Sequence, residues 1–225
     1  MRILIGIPMT RMYSPFINSF RSFLDKVDNH QIEYLTTWKK FLPDAQNLMA
    51  NHMMSGNHDA LLFIDDDQWG FTPEMLECLI NANSLVATIK TYSRHYPYSC
   101  TLMTKVNENG LYAGIEDWFG YHEVDMCGFP MTLICRELFE KLDKPYFTAI
   151  EALGRKWHTD IPFYQRLEKI GIKPMGCFQH CLNHGKITKD NVLELRYQDS
   201  RKRNNKILLD EFFIKNRIIM NQRGV

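Results

Sequence analysis

The sequence lacks a marked excess of charge of either sign, and it lacks any long hydrophobic run. Lysine and arginine number 27 against 26 aspartates and glutamates, which gives a formal net charge of +1. A chain with so little net charge is not predicted to bind polyanions through its bulk charge. No segment approaches the roughly 20 apolar residues that a membrane-spanning helix needs. The apolar start, MRILIGIPMT, has no cleavage-type site and predicts a first β-strand rather than a signal peptide.

Internal repeats, low-complexity linkers and a clear domain boundary are also missing. The 225 residues are 45% hydrophobic and 24% charged, which is typical of a globular protein with a sizeable core. We therefore predict a single domain. The six cysteines come without a secretory signal, so we expect free thiols and a cytoplasmic location.

The first half of the chain alternates between short apolar runs and helical patterns. The run ALLFI is continuous, as expected for a strand covered on both faces. Ser14 offers an N-cap before Pro15, and Thr72 precedes Pro73, so each pair predicts the start of a helix. The predicted strands are RILIGIP (2–8), IEYL (32–35), ALLFI (60–64) and LVATI (85–89). This β-α-β-α-β-α-β order predicts an α/β fold with an open, largely parallel sheet.

The second half of the chain has a mixed pattern. An alternating segment contains Asn109-Gly110, which is a hairpin turn signal. Beyond it, YHEVDMCGFPMTLICRELFEKL predicts a strand, a glycine-containing turn, a second strand and a helix. HTDIPFYQRLEKIGIKP predicts a helix that ends at Gly171, with a strand to about Phe178 after it. A last helix is predicted from Asn205 to about Met220.

Three consecutive aspartates, Asp65, Asp66 and Asp67, follow the buried strand ALLFI directly. Burying a carboxylate without a partner is costly, and clustering three of them adds mutual repulsion. In open α/β sheets, ligands bind outside the carboxyl ends of the strands. Hard oxygen ligands at such a place suit Mg²⁺ or Mn²⁺, with substrate phosphates completing the coordination shell. A polar strand-to-helix loop, with one aspartate as a cap, is the simpler alternative.

The order of several segments resembles GT-A fold glycosyltransferases, especially the large family 2-like group. LLFIDDDQWGFTPEMLECLI is similar to the DxD region, and DAQNLMANHMMSGNHD stands where that group has the preceding helix. ILIGIP resembles the strand whose end holds the nucleotide base, and VDMCGFPMTLICRELFEKL resembles the segment that opens the acceptor pocket. HTDIPFYQRLEKIGIKP is similar to the helix that carries a catalytic aspartate, and HCLNHGK to the segment of a late histidine. The resemblance extends to about Lys186.

This resemblance implies a fold and a division of the chain. We expect one GT-A catalytic domain over residues 1–225, with a largely parallel central sheet and a mixed second half. Residues 1–100 would form the nucleotide-binding half, 101–185 the acceptor half, and 186–225 a basic C-terminal segment with a helix.

The resemblance also implies how the donor would be held. Asp65 and Asp67 would bracket a Mn²⁺ or Mg²⁺ ion and the nucleotide-sugar, and His184 would be the third protein ligand. Asp66 would lie nearer the ribose or the sugar. Pro8 and Thr10 would border the nucleotide base.

The implied reaction is transfer of a sugar from a nucleotide-sugar, most simply a UDP-sugar, to an acceptor hydroxyl. Asp160 would be the base of an inverting enzyme, within reach of the acceptor proton. Thr159 stands before it, where the family usually has an acidic residue. The acceptor can be a glycan, a small hydroxyl compound or a modified base in DNA.

Cationic and aromatic residues near the later strands are further candidates. Lys90 and Arg94 follow a predicted strand and could meet phosphate, or belong to a solvated loop. Trp118, Phe119 and Tyr121 could form a sugar or base platform, although aromatic residues of this density are often part of a core.

Two other clusters leave their alternatives open. Cys177, His180, Cys181 and His184 are zinc-ligand types, but their spacing matches no common finger. The chain from Lys186 onward has ten lysines and arginines against five acidic residues, a local +5 that fits phosphate contacts or a solvated face.

Two other functions compete with sugar transfer. A Mg²⁺-dependent phosphohydrolase would use an aspartate as nucleophile, but such enzymes show DxDxT after the first strand. Here the run follows the third strand, and Trp69 occupies the threonine position. A non-catalytic protein that binds sugar-nucleotides or glycans is the second competitor.

Overall fold

The computed structural model describes most of the chain up to residue 187. The described ranges are 1–10, 13–93, 100–106, 112–115, 118–152, 155–157, 159–187 and 193–195. Within them the helices are α1 (Ser14–Leu24), α2 (Leu42–Ser55), α3 (Pro73–Asn81), α4 (Arg136–Lys141) and α5 (Asp160–Lys169). The predicted last helix, the basic C-terminal stretch beyond Leu195 and Arg94 lie outside the described residues.

The strands of the described ranges fall into two groups along the chain. The first group is β1 (Arg2–Met9), β2 (Gln31–Trp38), β3 (Ala60–Ile64), β4 (Gln68–Trp69), β5 (Val86–Lys90), β6 (Met103–Lys105) and β7 (Tyr112–Gly114). The second group is β8 (Tyr121–Glu123), β9 (Met131–Cys135), β10 (Ile150–Ala152), β11 (Arg155–Trp157), β12 (Met175–Cys181), β13 (Asn183–Ile187) and β14 (Leu193–Leu195).

Seven strands form the central sheet, in the order β2-β1-β3-β9-β5-β12-β8. β1 pairs in parallel with β2 and β3, and β5 pairs in parallel with β12. β9 runs antiparallel between β3 and β5, and β8 is antiparallel to β12 at one edge. Five strands (β2, β1, β3, β5 and β12) therefore run in the same direction. The predicted fold class, α/β with a largely parallel central sheet and a mixed second half, is confirmed.

The sheet separates two hydrophobic cores, because successive residues of a strand point to opposite faces. On β1, Leu4 belongs to one core, while Ile3 and Ile5 belong to the other. The first core takes buried residues of α2, α4 and α5, and the second takes those of α1 and α3. All five residues of β3 and all five of β5 are buried, so the central strands are covered on both faces as predicted.

Local boundaries agree with the predictions in most places. Thr72 caps α3 by accepting a hydrogen bond from the backbone N–H of Met75. The predicted N-cap at Ser14 is wrong: α1 begins at Ser14, and the extended residue before it is Tyr13, with no side-chain cap. β2 is longer than IEYL because every residue from Gln31 to Trp38 pairs with β1. Among the described helices, none is both long and apolar enough to cross a bilayer.

Arg136, the first residue of α4, ties the end of α2 to the central sheet. Its guanidinium donates hydrogen bonds to the backbone carbonyls of Met53 at 2.7 Å, Met54 at 3.2 Å, Gly56 at 2.5 Å and His58 at 2.7 Å. The last carbonyls of a helix have no partner within the helix, and a cation there also favours the helix dipole. One side chain therefore satisfies the C-terminus of α2, the helix that leads into β3.

We predict that Arg136→Met lowers the free energy of unfolding by about 2–4 kcal/mol, because several carbonyls lose a charged donor. The matched control is Lys141→Met on the same helix, where the exposed pair with Glu137 at 3.4 Å contributes about 0.5 kcal/mol or less. Urea unfolding of both variants measures the difference. Equal losses in the two variants would contradict the capping role of Arg136.

Candidate active site

The aspartate run lies at the carboxyl end of β3, the edge at which β1, β2, β5 and β12 also end. The backbone N–H of Asp65 donates to the carbonyl of Pro130 at 3.2 Å, which joins the run to the turn before β9. Asp65 and Asp67 are half-buried, and Asp66 is buried. The central strands therefore deliver the three carboxylates to the edge where ligands of such sheets bind.

Asp66 holds the ends of β1 and β3 together. Its side chain is 7% exposed and accepts hydrogen bonds from both the backbone N–H and the hydroxyl of Thr10, at 2.5 and 3.1 Å. A buried carboxylate is stable only when such donors satisfy it. Asp66 and Thr10, both predicted to contact the donor, thus contact each other, and Pro8 lies two residues before Thr10 at the end of β1.

Asp67 and His184 meet across the chain. β13 pairs antiparallel with β4, so His184 stands opposite Gln68, the residue after Asp67. The imidazole Nε2 lies 3.3 Å from Asp67 Oδ2, and both side chains are largely buried. Nδ1 donates to the carbonyl of Tyr92 at 2.7 Å, and a carbonyl can only accept, so Nδ1 carries a proton.

That proton determines what the pair can bind. In the neutral ring Nε2 then has a lone pair, and it faces a carboxylate oxygen that is also an acceptor. Two acceptors at this distance need a proton or a cation between them. A metal-binding histidine usually donates its other N–H to a carbonyl or carboxylate, as His184 does. Neighbouring ligands of an octahedral ion with bonds of 2.0–2.1 Å are about 3 Å apart, close to the observed separation.

The donor set therefore fits a divalent ion that is shared with a ligand. Among the described residues, no cluster of three or more His, Cys, Asp or Glu side chains could hold a metal, and the predicted metal set of Asp65, Asp67 and His184 stays a prediction. A site with two protein ligands is usual where substrate phosphates supply further oxygens. By the same finding, the described part of the chain holds no zinc-type cluster at the residues of the zinc alternative, which are Cys177, His180, Cys181 and His184.

The turn after the run is built to bring β13 close. Gly70 has a φ of +91°, and a Cβ there would lie 3.0 Å from the side-chain nitrogen of Asn183. Both constraints favour glycine. The hydroxyl of Ser19 on α1 accepts hydrogen bonds from the backbone N–H groups of Gly70 and Phe71, at 2.8 and 3.0 Å. α1 thus fixes the turn that carries Asp67 toward His184.

Lys90 is the last residue of β5 and is 7% exposed. Its Nζ lies 6.0 Å from the ring centroid of Phe178 on β12, within the range of a cation–π contact. The carbonyl of Lys90 accepts from the backbone N–H of Leu182 at 3.0 Å, just before β13. The ammonium therefore belongs to the same edge of the sheet as the pair formed by Asp67 and His184.

Asp160 is the first residue of α5, and its Oδ1 accepts from the backbone N–H of Ile161 at 3.0 Å. Burial raises the pKa of the Cys127 thiol, and the charge of Asp160 raises it further. Cys127 begins the segment that hydrogen-bonds Tyr164 of the same helix, and the end of this segment, Pro130, contacts Asp65. Thr159 is buried, and its hydroxyl has no hydrogen-bond partner, which fits its uncharged character at a position that is usually acidic.

Aromatic packing fixes the helix that carries Asp160. Phe163 stacks on Phe147 with ring centroids 4.9 Å apart, and Tyr164 stacks on Phe129 at 5.7 Å. Cys127 Sγ donates to the Tyr164 hydroxyl at 2.7 Å. These contacts join the start of α5 to Phe147 and to the turn before β9, so the helix that begins with Asp160 is firmly packed.

Two further residues, Trp38 and Lys39, lie at the same edge and carry no sequence motif. Trp38 ends β2 and pairs with Met9, the residue before Thr10, and its side chain is 54% exposed. Lys39 has a φ of +48°, and its Nζ lies 5.6 Å from the Trp38 ring centroid. TTW follows IEYL directly in the sequence, but only the register with β1 brings Trp38 beside Thr10.

Comparisons with known proteins support the fold. No protein-family model and no curated protein matches the chain. Among solved structures, A197 from STIV superposes with a TM-score of 0.61 at 21% identity, over 87% of this chain and 94% of its own. A 4-diphosphocytidyl-2C-methyl-D-erythritol synthase from Anaerococcus prevotii DSM 20548 has a TM-score of 0.48 at 10% identity, over 92% of this chain and 95% of its own. The chain shares the fold of A197.

We predict that UDP raises the melting temperature only when Mn²⁺ or Mg²⁺ is present. At a hundredfold excess of ligand over its Kd, linkage stabilises the folded state by about 2.7 kcal/mol. His184→Gln should remove most of this shift, because it removes the nitrogen that faces Asp67. His180→Gln, a nearby histidine on β12, is the control and should keep the shift. An equal shift with UDP in excess chelator would contradict the metal role.

Proposed function

We propose that the protein is a metal-dependent glycosyltransferase that moves a sugar from a nucleotide-sugar, taken to be a UDP-sugar, to an acceptor hydroxyl. The observation that carries the proposal is the contact between Asp67 and His184 at the carboxyl edge of the sheet, 3.3 Å apart. One nitrogen donor and one oxygen donor at such an edge suit a divalent ion that also binds a diphosphate. The order of DxD region, acceptor segment, aspartate helix and late histidine supports the same function.

The donor half would bind the nucleotide at the ends of β1, β2 and β3. Trp38 offers an exposed ring on which a base can stack, and Thr10 marks the neighbouring strand end. Asp67 and His184 would hold the divalent ion, which supplies positive charge for the leaving diphosphate. Lys90 presents a second positive charge at this edge and can approach a phosphate oxygen. Asp65 would complete the contact with the donor.

The acceptor half would supply the base. Asp160 stands at the start of α5, on a helix that aromatic stacking holds against the turn preceding β9. A carboxylate at that position can take the proton of an acceptor hydroxyl as the new glycosidic bond forms. Attack from the side opposite to the leaving diphosphate inverts the configuration at the sugar carbon.

Two other functions have less support. A phosphohydrolase with an aspartate nucleophile would need DxDxT, and Trp69 occupies the threonine position. Asp66 moreover accepts two hydrogen bonds from Thr10, which suits a structural carboxylate better than a nucleophile. A binding protein without catalysis would have no need of Asp160. A variant of Asp160 therefore distinguishes a transferase from a binding protein.

We expect Asp160→Asn to reduce sugar transfer by about 10² or more and to leave UDP binding largely intact, because the variant keeps the shape and loses the proton acceptor. A screen of UDP-, GDP- and dTDP-sugars with Mn²⁺, read by nucleotide release, first identifies the donor. Transfer at the wild-type rate by Asp160→Asn would contradict the role of the base. NMR analysis of the product anomer then tells inversion from retention.

Trp38→Ala should weaken UDP binding by about 1–3 kcal/mol, the usual contribution of one base stacked on an aromatic ring. Tyr34→Ala is the matched control, because Tyr34 is also an exposed aromatic residue of β2, 59% exposed, but lies four residues from the strand end. Calorimetric titration of UDP with Mn²⁺ compares the two variants. Equal losses of affinity in the two variants, or no loss in Trp38→Ala, would show that the nucleotide base does not stack on Trp38.

A further inference from the structure

We infer that the aromatic residues before β8 form a subsite for a distal sugar of an oligosaccharide acceptor. This inference rests on the proposed transfer reaction and specifies its acceptor. We call Trp118, Phe119, His122 and Phe178 the aromatic platform. The sequence leaves Trp118, Phe119 and Tyr121 open between a core and a binding surface, and three features of the structure favour binding at Trp118 and Phe119.

The first feature is position. β8 is antiparallel to β12, so the start of β8 lies at the same edge of the sheet as the carboxyl end of β12. The backbone N–H of Phe178 donates to the carbonyl of Gly120 at 2.8 Å, and Gly120 has a φ of +81°. Trp118 and Phe119, directly before this turn, therefore lie at the edge that carries the aspartate run.

The second feature is exposure. Phe119 is 78% exposed and Trp118 is 40% exposed, so neither is part of a core. These two exposed aromatic residues are consecutive in the chain, and contiguous exposed apolar patches mark ligand or partner sites. Tyr121 is also 40% exposed, but its hydroxyl donates to the carbonyl of Cys78 at 3.1 Å, which fixes it to α3 and removes it from the platform.

The third feature is rigid support. The Trp118 ring lies 4.6 Å from the His122 ring and 5.6 Å from the Phe178 ring, measured between centroids. His122 Nε2 hydrogen-bonds the carbonyl of Phe119 at 2.7 Å, which holds the turn. Phe178 is almost fully buried and has the Lys90 ammonium 6.0 Å from its centroid. The platform is thus preorganised and continuous with the donor edge.

Strand order indicates the length of the acceptor. β8 is four strands from β3 in the sheet, which at 4.7–4.9 Å per strand puts the platform roughly 15–20 Å from the aspartate run. A monosaccharide at the reaction centre cannot span that distance. An acceptor that reaches both the reaction centre and the platform therefore needs two or more further sugar units between the two positions.

Charge favours a neutral glycan over a nucleic acid. The segment from 115 to 125 contains four acidic residues and no lysine or arginine, so its charge repels phosphates. The apolar C–H face of a pyranose carries no charge and packs on the electron-rich face of an aromatic ring. An exposed indole in a segment without lysine or arginine suits a neutral sugar.

The test is binding of the full chain to an array of neutral and anionic glycans, followed by saturation-transfer NMR on the strongest binder. We expect binding to neutral oligosaccharides, with saturation of ring C–H protons. Trp118→Ala should weaken binding by about two- to tenfold, Trp118→Phe should retain most of it, and Tyr34→Ala should have no effect. Binding by the wild type to no glycan, or undiminished binding by Trp118→Ala, would overturn the inference. Preferential binding of an oligothymidylate at Trp118 would also overturn it.

UDP titration with Mn²⁺ on the same samples separates this inference from the proposed function. Wild-type protein that binds UDP with Mn²⁺ but no glycan contradicts the aromatic platform alone. Wild-type protein that binds glycans through Trp118 but shows no metal-dependent UDP binding contradicts the glycosyltransferase proposal and removes the acceptor role with it.

Discussion

The buried carboxylate of Asp66 is the constraint on which the site depends. A carboxylate that is 7% exposed needs donors, and Thr10 provides two of them. Because Thr10 follows β1 and Asp66 follows β3, these bonds fix the relative position of two neighbouring strand ends. The run of three aspartates is then understandable: the middle one holds the backbone, and the flanking ones are placed at the edge where a ligand binds.

A second long-range contact completes the arrangement. The pairing of β13 with β4 brings His184, near the end of the described residues, beside Asp67, which follows the third strand. The carbonyl of Tyr92 sets the tautomer of His184, and Gly70 leaves room for Asn183. Three separate parts of the chain therefore determine one contact between Asp67 and His184. Such a contact is hard to explain as a by-product of packing and easier to explain as a binding site.

The strand order also arranges the proposed functions along one edge. Trp38 ends β2, Thr10 follows β1, and the aspartate run follows β3. Across β9 come Lys90 at the end of β5, Phe178 on β12 and Trp118 before β8. Under the proposed function, the donor would lie over the first three strands and the acceptor over the last three, with the metal pair and Lys90 near the middle of the edge.

Much of this fold could be predicted from the sequence because its signals are local. ALLFI is a continuous apolar run, LVATI is mostly apolar, and Thr72-Pro73 is a local start signal. The insertion of β9 between β3 and β5 could not be predicted, since its antiparallel pairs join residues that are 67–75 positions apart on β3 and 44–48 positions apart on β5. The cap at Ser14 was wrong because the helix begins one residue earlier than the capping pattern suggests.

In the candidate site, too, the local signals could be predicted and the long-range contacts could not. A run of aspartates after a strand is a local signal, whereas the bond between Asp66 and Thr10 and the place of Trp38 depend on register. Asp160 was found through a resemblance of ordered segments, and its link to Cys127 required the packing of α5. Arg94 and the basic segment after Lys186 stay predictions.

The most direct test of the central claim is pulsed electron paramagnetic resonance of Mn²⁺ bound to the protein with UDP. If the ion lies between Asp67, His184 and the diphosphate, the spectrum contains hyperfine coupling to an imidazole nitrogen and to phosphorus at once. The nitrogen coupling should disappear in His184→Gln while the phosphorus coupling persists. Phosphorus coupling without any nitrogen coupling in the wild type would contradict the account, because the ion would then be held by the nucleotide without His184.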